Sequence, residues 1–244
     1  MKKNLKINGI RNILNFTNLL PDDINKKREP FIPEIKPTLI PYNKIFWEKV
    51  FPYKKGINYK DLQLSNIGSY SIFYPNSGDE VAKIIRSYIP GETATITDAN
   101  SNMGGAIFAF SNYFNKINGV EIIKMHCMIL ENNITIYKIN DKVKIYCADY
   151  LDIADKLDQD VVFFDPPWGG KSYKDLKLMN MYLDSIPIHT IIKSLLTKTM
   201  VAIRVPFNYD FKKLFELTPT SYVHSIYRPD GKLSFYLVIL KKKE

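Results

Sequence analysis

Cysteine is almost absent from this sequence, with only Cys127 and Cys147 in 244 residues. Two are too few for the disulfide framework of a small secreted domain or for a zinc site, so a reduced, intracellular setting is the expectation. Histidine is nearly as scarce. His126, His189 and His224 are scattered along the chain and are expected to be structural, and no metal is predicted. No apolar run approaches the ~20 residues that span a bilayer, which argues against a membrane protein. The N-terminal stretch MKKNLKINGIRNILNF breaks each apolar core with Asn, Lys or Arg, so no secretory signal is expected. No internal repeat is visible, and only five of the 34 basic residues are Arg.

What is present suits a folded chain. Hydrophobic residues make up 45% and charged residues 24%, enough for one well-cored domain with a small extension. The net charge is +9 and the isoelectric point near 9.2, which favours polyanionic partners such as nucleic acid. Abundant Lys, Asn and Ile are also what A/T-rich coding produces, so charge by itself does not separate nucleic-acid binding from genomic bias.

Residues 1–60 read as an N-terminal extension and residues 61–244 as the main domain. Within the extension, residues 7–20 are weakly periodic and stop at Pro21-Asp22-Asp23. Pro30, Pro33, Pro37 and Pro41 then mark an extended connector, and Phe46, Trp47, Phe51 and Tyr53 suggest a segment docked against something. The rest alternates. Strand-like runs at 94–97, 119–122, 143–147, 161–164 and 200–205 are separated by helical stretches at 79–88, 104–115, 124–137, 151–157, 188–196 and 210–217. Such alternation predicts an α/β fold, a mostly parallel doubly wound sheet with crossover helices. The C-terminus changes character: residues 222–227 and 233–240 flank Pro229-Asp230-Gly231 and predict an antiparallel β-hairpin. A parallel sheet finished by a hairpin is the layout of Rossmann-like, nucleoside-cofactor methyltransferases.

In such sheets ligands bind at the carboxyl ends of the strands, so strand ends are where chemistry is sought. The first strand runs into Thr97-Asp98-Ala99-Asn100-Ser101-Asn102-Met103-Gly104-Gly105. Glycines here let the backbone approach a cofactor, and Asn102 tolerates a left-handed backbone better than other non-glycine residues. The second ends at Glu121, whose carboxylate can accept hydrogen bonds from both hydroxyls of a ribose. The third ends in Cys147-Ala148-Asp149-Tyr150, where Asp149 can accept from an adenine amine and Tyr150 can flank the ring. Any one acid could instead serve a helix dipole; three in sequence order are harder to dismiss.

The fourth strand is followed by Asp165-Pro166-Pro167-Trp168-Gly169-Gly170. Two prolines stiffen the turn, Asp165 and the carbonyl of Pro166 supply acceptors, and Trp168 supplies a flat face. That set suits an exocyclic amine on a planar base. Two acceptors hold the amine and stabilise the positive charge that develops as it attacks a methyl sulfonium.

On these residues the sequence resembles the trimethylguanosine synthase family, the RNA cap guanine-N2 methyltransferases, over roughly residues 43–240. The run from Val161 to Gly170 followed by Tyr173 is the most specific element. The resemblance implies S-adenosyl-L-methionine as methyl donor and 7-methylguanosine at a 5′ RNA cap as acceptor. It also implies donor contacts from Asp98, Ala99, Asn100 and Gly104, from Glu121, Asp149 and Tyr150, from Asp165, and from Ser77 at a helix start. Asp165, Pro166 and Trp168 become the catalytic group. Tyr173, Lys171, Lys232, Asn208 and Lys44 become cap contacts. Departures stand beside the match: Asn100 and Asn102 replace the family's Phe and Gly, Lys171 replaces a Pro, and Phe207 replaces an Arg. Some members carry Ser at the position of Asp165, which argues against an essential base there. A monomer acting on capped RNA in the cytoplasm or nucleus, including the cytoplasm of a virus-infected cell, follows as the expectation. The competing readings are an amino methyltransferase on an internal adenine or guanine of DNA or ribosomal RNA, and an inactive cap-binding module.

Overall fold

The computed structural model describes residues 35–91, 93–169, 171–218 and 220–242, without the side chains of Lys171 and Ser172. The periodic segment at 7–20, Pro30, Pro33 and Gly170 lie outside the described residues. The chain forms two compact units that divide between Gln159 and Asp160.

The unit ending at Gln159 begins with α1 (Lys44–Val50). Asn43 caps it, its side chain accepting from Phe46 N at 3.0 Å, which satisfies one of the first-turn N–H groups. Trp47 and Val50 face inward, and Trp47 Nε1 donates to the Leu62 carbonyl at 3.0 Å. Tyr137 donates its hydroxyl to the Pro52 carbonyl at 2.6 Å. Polar tips thus find partners while the rings stay buried. After α2 (Gly68–Ser71), α3 (Pro75–Ser87) opens on a proline, which is preorganised for the first helical position. There follow β1 (Thr95–Asp98), α4 (Gly105–Phe110), β2 (Lys116–Glu121), α5 (Lys124–Ile136), β3 (Val143–Cys147) and α6 (Tyr150–Ile153). The strands pair in parallel in the order β3-β2-β1, with Asp98 beside Gly119 and Glu121 beside Cys147. Parallel neighbours need long crossovers, which α4 and α5 supply.

Cys127 and Cys147, expected in a reduced setting with no disulfide framework, form a disulfide. α5 starts three residues after β2 and turns back over it, so Cys127 in its first turn faces the end of β3. The two Cα atoms stand 5.8 Å apart, inside the range a disulfide can bridge. Sequence separation alone could not show that α5 folds back over its own sheet.

The unit from Asp160 onward holds β4 (Val161–Phe164), the short pair β5 (Tyr182–Leu183) and β6 (Ile186–Pro187), α7 (Ile188–Leu195), β7 (Met200–Val205), α8 (Lys212–Phe215), β8 (Ser221–Tyr227) and β9 (Leu233–Leu240). β4 pairs with β7 in parallel; β9 then runs antiparallel to both β7 and β8. The hairpin turn closes with Arg228 N on the Lys232 carbonyl at 2.9 Å. All four residues of β4 are buried, as the unbroken apolar run requires for a strand covered on both faces.

The expected strands 143–147, 161–164 and 200–205 match β3, β4 and β7 to the residue. β2 begins three residues earlier than expected, because parallel pairing of Lys116 with Thr95 extends it through Asn118 and Gly119. The helix expected over 104–115 stops at Phe110, where Asn112 N and Tyr113 N bond three residues back instead of four. The helix α1 and the β5–β6 pair have no counterpart among the expected elements.

Candidate functional site

The loop after β1 is built by short-range polar bonds. Asp98, the last residue of β1, is buried and accepts Asn100 N at 3.2 Å. Ser101 ties the loop to β2, its N–H on the Val120 carbonyl at 2.9 Å, while its hydroxyl returns to the Asp98 carbonyl at 3.0 Å. Asn102 has φ 50° and Gly104, which caps α4, has φ 100°. The left-handed Asn102 keeps the turn that glycine would otherwise make. Its backbone N–H donates to Glu121 Oε2 at 2.8 Å and its side-chain amide to Ser71 Oγ at 2.8 Å. Gly105 is held for another reason: an added Cβ would lie 2.7 Å from Phe73 N and 2.8 Å from Phe73 O.

Glu121 is buried and receives Ile123 N on Oε1 at 2.7 Å. Burial pushes its carboxyl up to about 7, the backbone N–H groups opposing that rise only in part. His126 Nδ1 stands 3.8 Å from Glu121 Oε1, and His126 Nε2 is 3.0 Å from Ser65 Oγ. Burial lowers His126 to about 4, so it is neutral beside the acid. Asp149 caps α6, accepting Leu151 N at 2.9 Å. The Ala148 N–H on the Glu121 carbonyl at 3.0 Å and the disulfide fix the Asp149 turn against the end of β2.

Other residues predicted for this site sit as follows. Ala99 is buried directly after β1. Tyr150 is buried too, with Gln159 Nε2 donating to its hydroxyl at 3.2 Å. Ser77 lies inside the first turn of α3, not ahead of it, because Pro75 starts the helix earlier. Lys44 is exposed and stands 3.9 Å from Glu48 one turn on. A separate cleft of about 470 Å³, lined by Tyr53, Pro75, Asn76, Asp79, Gly105 and Asn112 among others, contains none of the predicted donor residues.

In the second unit the chain leaves β4 through Asp165, buried Pro166, exposed Pro167 and half-buried Trp168. The indole is therefore not sunk in the interior. Its Nε1 is sheltered and has no hydrogen-bond partner among the described residues. Tyr173 meets the indole edge-on, ring centres 5.2 Å apart at 81°. Asn208 is buried and donates its amide to the carbonyls of Tyr173 and Leu176, each at 2.8 Å. It braces the loop that carries Tyr173. Phe207 is half-exposed with its ring 6.3 Å from Tyr173. Lys232 is exposed in the hairpin turn. Lys171 opens a 3₁₀ turn, and its side chain lies outside what the structure describes.

Arg204, the last residue but one of β7, joins the Asp165 turn. Its Nη1 donates to Asp165 Oδ2 at 2.7 Å, and its guanidinium carbon lies 4.6 Å from the Trp168 ring centre and 4.4 Å from that of Phe235. β4 and β7 pair with Phe164 beside Ile203, which sets Asp165 next to Arg204, a neighbour relation that only the pairing of the strands reveals. Burial raises the Asp165 carboxyl, with the Arg204 charge pulling in the opposite direction. Among the described residues no group of three or more His, Cys, Asp or Glu could hold a metal ion, and no helix is long and apolar enough to cross a membrane.

Parallel strands ending in acids, a prolyl turn with a flanking indole and a terminal antiparallel hairpin define a Rossmann-like methyltransferase fold. Among solved structures, an O-methyltransferase from Bacillus cereus in complex with SAH superposes with a TM-score of 0.51 at 13% identity, covering 70% of this chain and 84% of that one. The chain belongs to the RNA cap guanine-N2 methyltransferase family, whose match spans residues 93–242. An uncharacterised protein of Acanthamoeba polyphaga mimivirus is 34% identical over 127 residues, half of this chain and 49% of that protein. The trimethylguanosine synthase of Schizosaccharomyces pombe is 32% identical over 110 residues, 43% of this chain and 45% of that enzyme. The chain thus spans about half the length of the curated relatives it matches.

Proposed function

We propose that this protein transfers a methyl group from S-adenosyl-L-methionine to the exocyclic N2 of 7-methylguanosine at an RNA 5′ cap. The product is 2,7-dimethylguanosine, and 2,2,7-trimethylguanosine if the monomethylated amine can reorient for a second round. The single observation that carries this reading is the turn after β4, where a carboxylate and a half-buried indole stand on a doubly prolyl frame. Membership of the cap guanine-N2 family supports it.

The residues after β1, β2 and β3 suit the donor. Asn100 Oδ1 and Asn102 Oδ1 are buried acceptors with no partner among the described residues, and a buried acceptor left open is costly unless a ligand fills it. They fit the amino group of the donor's methionine end, together with Asp98 and the loop through Ala99 to Gly104, while Ser77 in the first turn of α3 suits its carboxylate. Glu121 fits the ribose hydroxyls, and Asp149 the adenine amine. Bound there, the donor would supply an electrophilic methyl on a sulfonium.

On the acceptor side, Trp168 stacks against the base. Methylation at N7 makes guanine cationic, and a desolvated cation–π contact is worth ~2 kcal/mol, about a thirtyfold preference over the unmethylated base. Asp165 and the Pro166 carbonyl hold the amine hydrogens. The nitrogen lone pair forms the new N–C bond as the C–S bond breaks, and the amine proton leaves to solvent, so no strong base is needed. Tyr173, Lys171 and Lys232 suit the phosphates, and Asn208 holds the Tyr173 loop. The enzyme acts where capped RNA is found, in the cytoplasm or nucleus, and the mimivirus relative favours an infected host cell.

The test is mass spectrometry of a 7-methylguanosine cap dinucleotide incubated with labelled donor, alongside uncapped RNA. Labelled dimethylguanosine from the dinucleotide is the expected result. Label only in uncapped RNA would replace this reading with an internal-base methyltransferase, and donor-independent cap binding without turnover would replace it with a binding module.

A further inference from the structure

β4 and β7 run in parallel register with Phe164 beside Ile203, so the next residues along each strand are Asp165 and Arg204. The guanidinium does three things at once. It pairs with Asp165 Oδ2 at 2.7 Å, and it packs within stacking range of both the Trp168 and Phe235 rings. Phe235 is 1% exposed and fixed in β9. The cation is therefore anchored from the interior side, and only a fifth of its side chain meets solvent. We propose that Arg204 is the positioning residue of the acceptor site, holding Asp165 ionised with Oδ1 left for the incoming amine and keeping the Trp168 indole seated for the base.

The proposal deepens the acceptor reading above and rests on it. Burial alone would favour a neutral Asp165, and a protonated carboxyl would turn one of its two acceptors into a donor facing an amine that also donates. A guanidinium on Oδ2 offsets that tendency and fixes the carboxyl plane. The paired charges also cancel in large part, so a cationic purine against Trp168 does not meet an isolated positive charge behind the ring. Lysine would not replace the arginine, because an ammonium lacks the flat fork that bonds a carboxylate and stacks on rings together. Tyr173 is a further titratable group beside this cluster, meeting it through the Trp168 ring.

The experiment compares the full chain with Arg204→Met, Arg204→Lys and the double variant Asp165→Asn/Arg204→Met. With Arg204→Met, the acid limb of the pH–rate profile should move up by at least about one unit, a loss of about tenfold at any pH on that limb. Arg204→Lys should keep the limb near its original position yet bind 7-methyl-GTP several-fold more weakly, read by quenching of Trp168 fluorescence while buried Trp47 stays constant. The double variant should be more active than Arg204→Met, because a neutral Asn needs no counter-ion. An unmoved acid limb in Arg204→Met, or a double variant no better than the single, overturns the proposal.

A second readout does not depend on methylation. A carboxyl whose folded pKa is raised loses stability as pH climbs, so urea-unfolding stability of Arg204→Met should fall more steeply between about pH 5 and 8 than that of the wild type. The double variant should lack this excess slope. If the wild type methylates no cap but the slopes differ as stated, the cap reading fails while the hold of Arg204 on Asp165 stands. If it methylates the cap and the slopes coincide, the Arg204 proposal fails alone. Should Arg204→Met not fold, a folded double variant supports the pairing and an unfolded one refutes it.

Discussion

Glu121 and His126 form a buried pair whose opposite titrations should hide each other. Glu121 moves from 4.5 to about 7, and His126 from 6.5 to about 4. At ~1.4 kcal/mol per unit, each shift corresponds to about 3 kcal/mol of pH-linked stability. The signs differ. A raised carboxyl gives stability that is present below 4.5 and lost as pH rises to about 7. A lowered imidazole gives stability that is present above 6.5 and lost as pH falls to about 4. Between those limits the folded chain keeps one proton on Glu121 and the unfolded chain keeps one on the histidine, so the pair contributes almost no slope. Glu121→Gln should unmask the histidine, and stability relative to wild type should fall on acidification by up to about 3 kcal/mol. His126→Gln should unmask the acid, with stability falling by a similar amount as pH rises. Urea unfolding from pH 4.5 to 8, taken as differences from the wild-type curve, removes the groups common to all three proteins. The slope matters rather than the level, because a glutamine amide facing the N–H of Asn102 or Ile123 carries its own penalty. Flat difference curves would refute the assignment of opposed, buried titrations. The same ionisation bears on function: donor affinity should rise through pH 7 as Glu121 becomes a full acceptor for two hydroxyls, and calorimetric titration with S-adenosylmethionine checks this.

Trp168→Ala should abolish cap methylation while donor binding survives, and Asp149→Ala should weaken donor binding with little direct effect on cap affinity; retained turnover in the first would remove the stacking argument. Gly105→Ala should destabilise by about 1–3 kcal/mol, because the new methyl meets the backbone of Phe73 rather than a movable side chain; an unchanged urea midpoint would contradict the close approach. Reducing the Cys127–Cys147 bond opens a loop with a sequence separation of 20 and should cost about 3 kcal/mol by loop entropy, with weaker donor binding because both sulfurs stand beside the strand ends that carry Glu121 and Asp149. Calorimetry with and without a strong reductant decides it, and a Cys127→Ser/Cys147→Ser variant that still responds to reductant would place the effect elsewhere.

The local chemistry of β3, β4 and β7 was legible in the residues. An unbroken apolar run such as Val161–Phe164, short, β-branched and aromatic and closed by two prolines, reads as a buried strand, and the acids or prolines that follow it sit at its end. The left-handed turn at Asn102 was legible for the same reason, since few residue types tolerate that backbone. The contacts at 204 and 127 were not. Arg204 meets Asp165 because two strands 39 residues apart end side by side, and Cys127 meets Cys147 because α5 folds back over β3. Pairing between strands and crossover of helices depends on how apolar faces pack across long sequence separations, which no local pattern encodes. The sequence therefore determined which groups stand at the strand ends, and tertiary packing decided which of them hold one another.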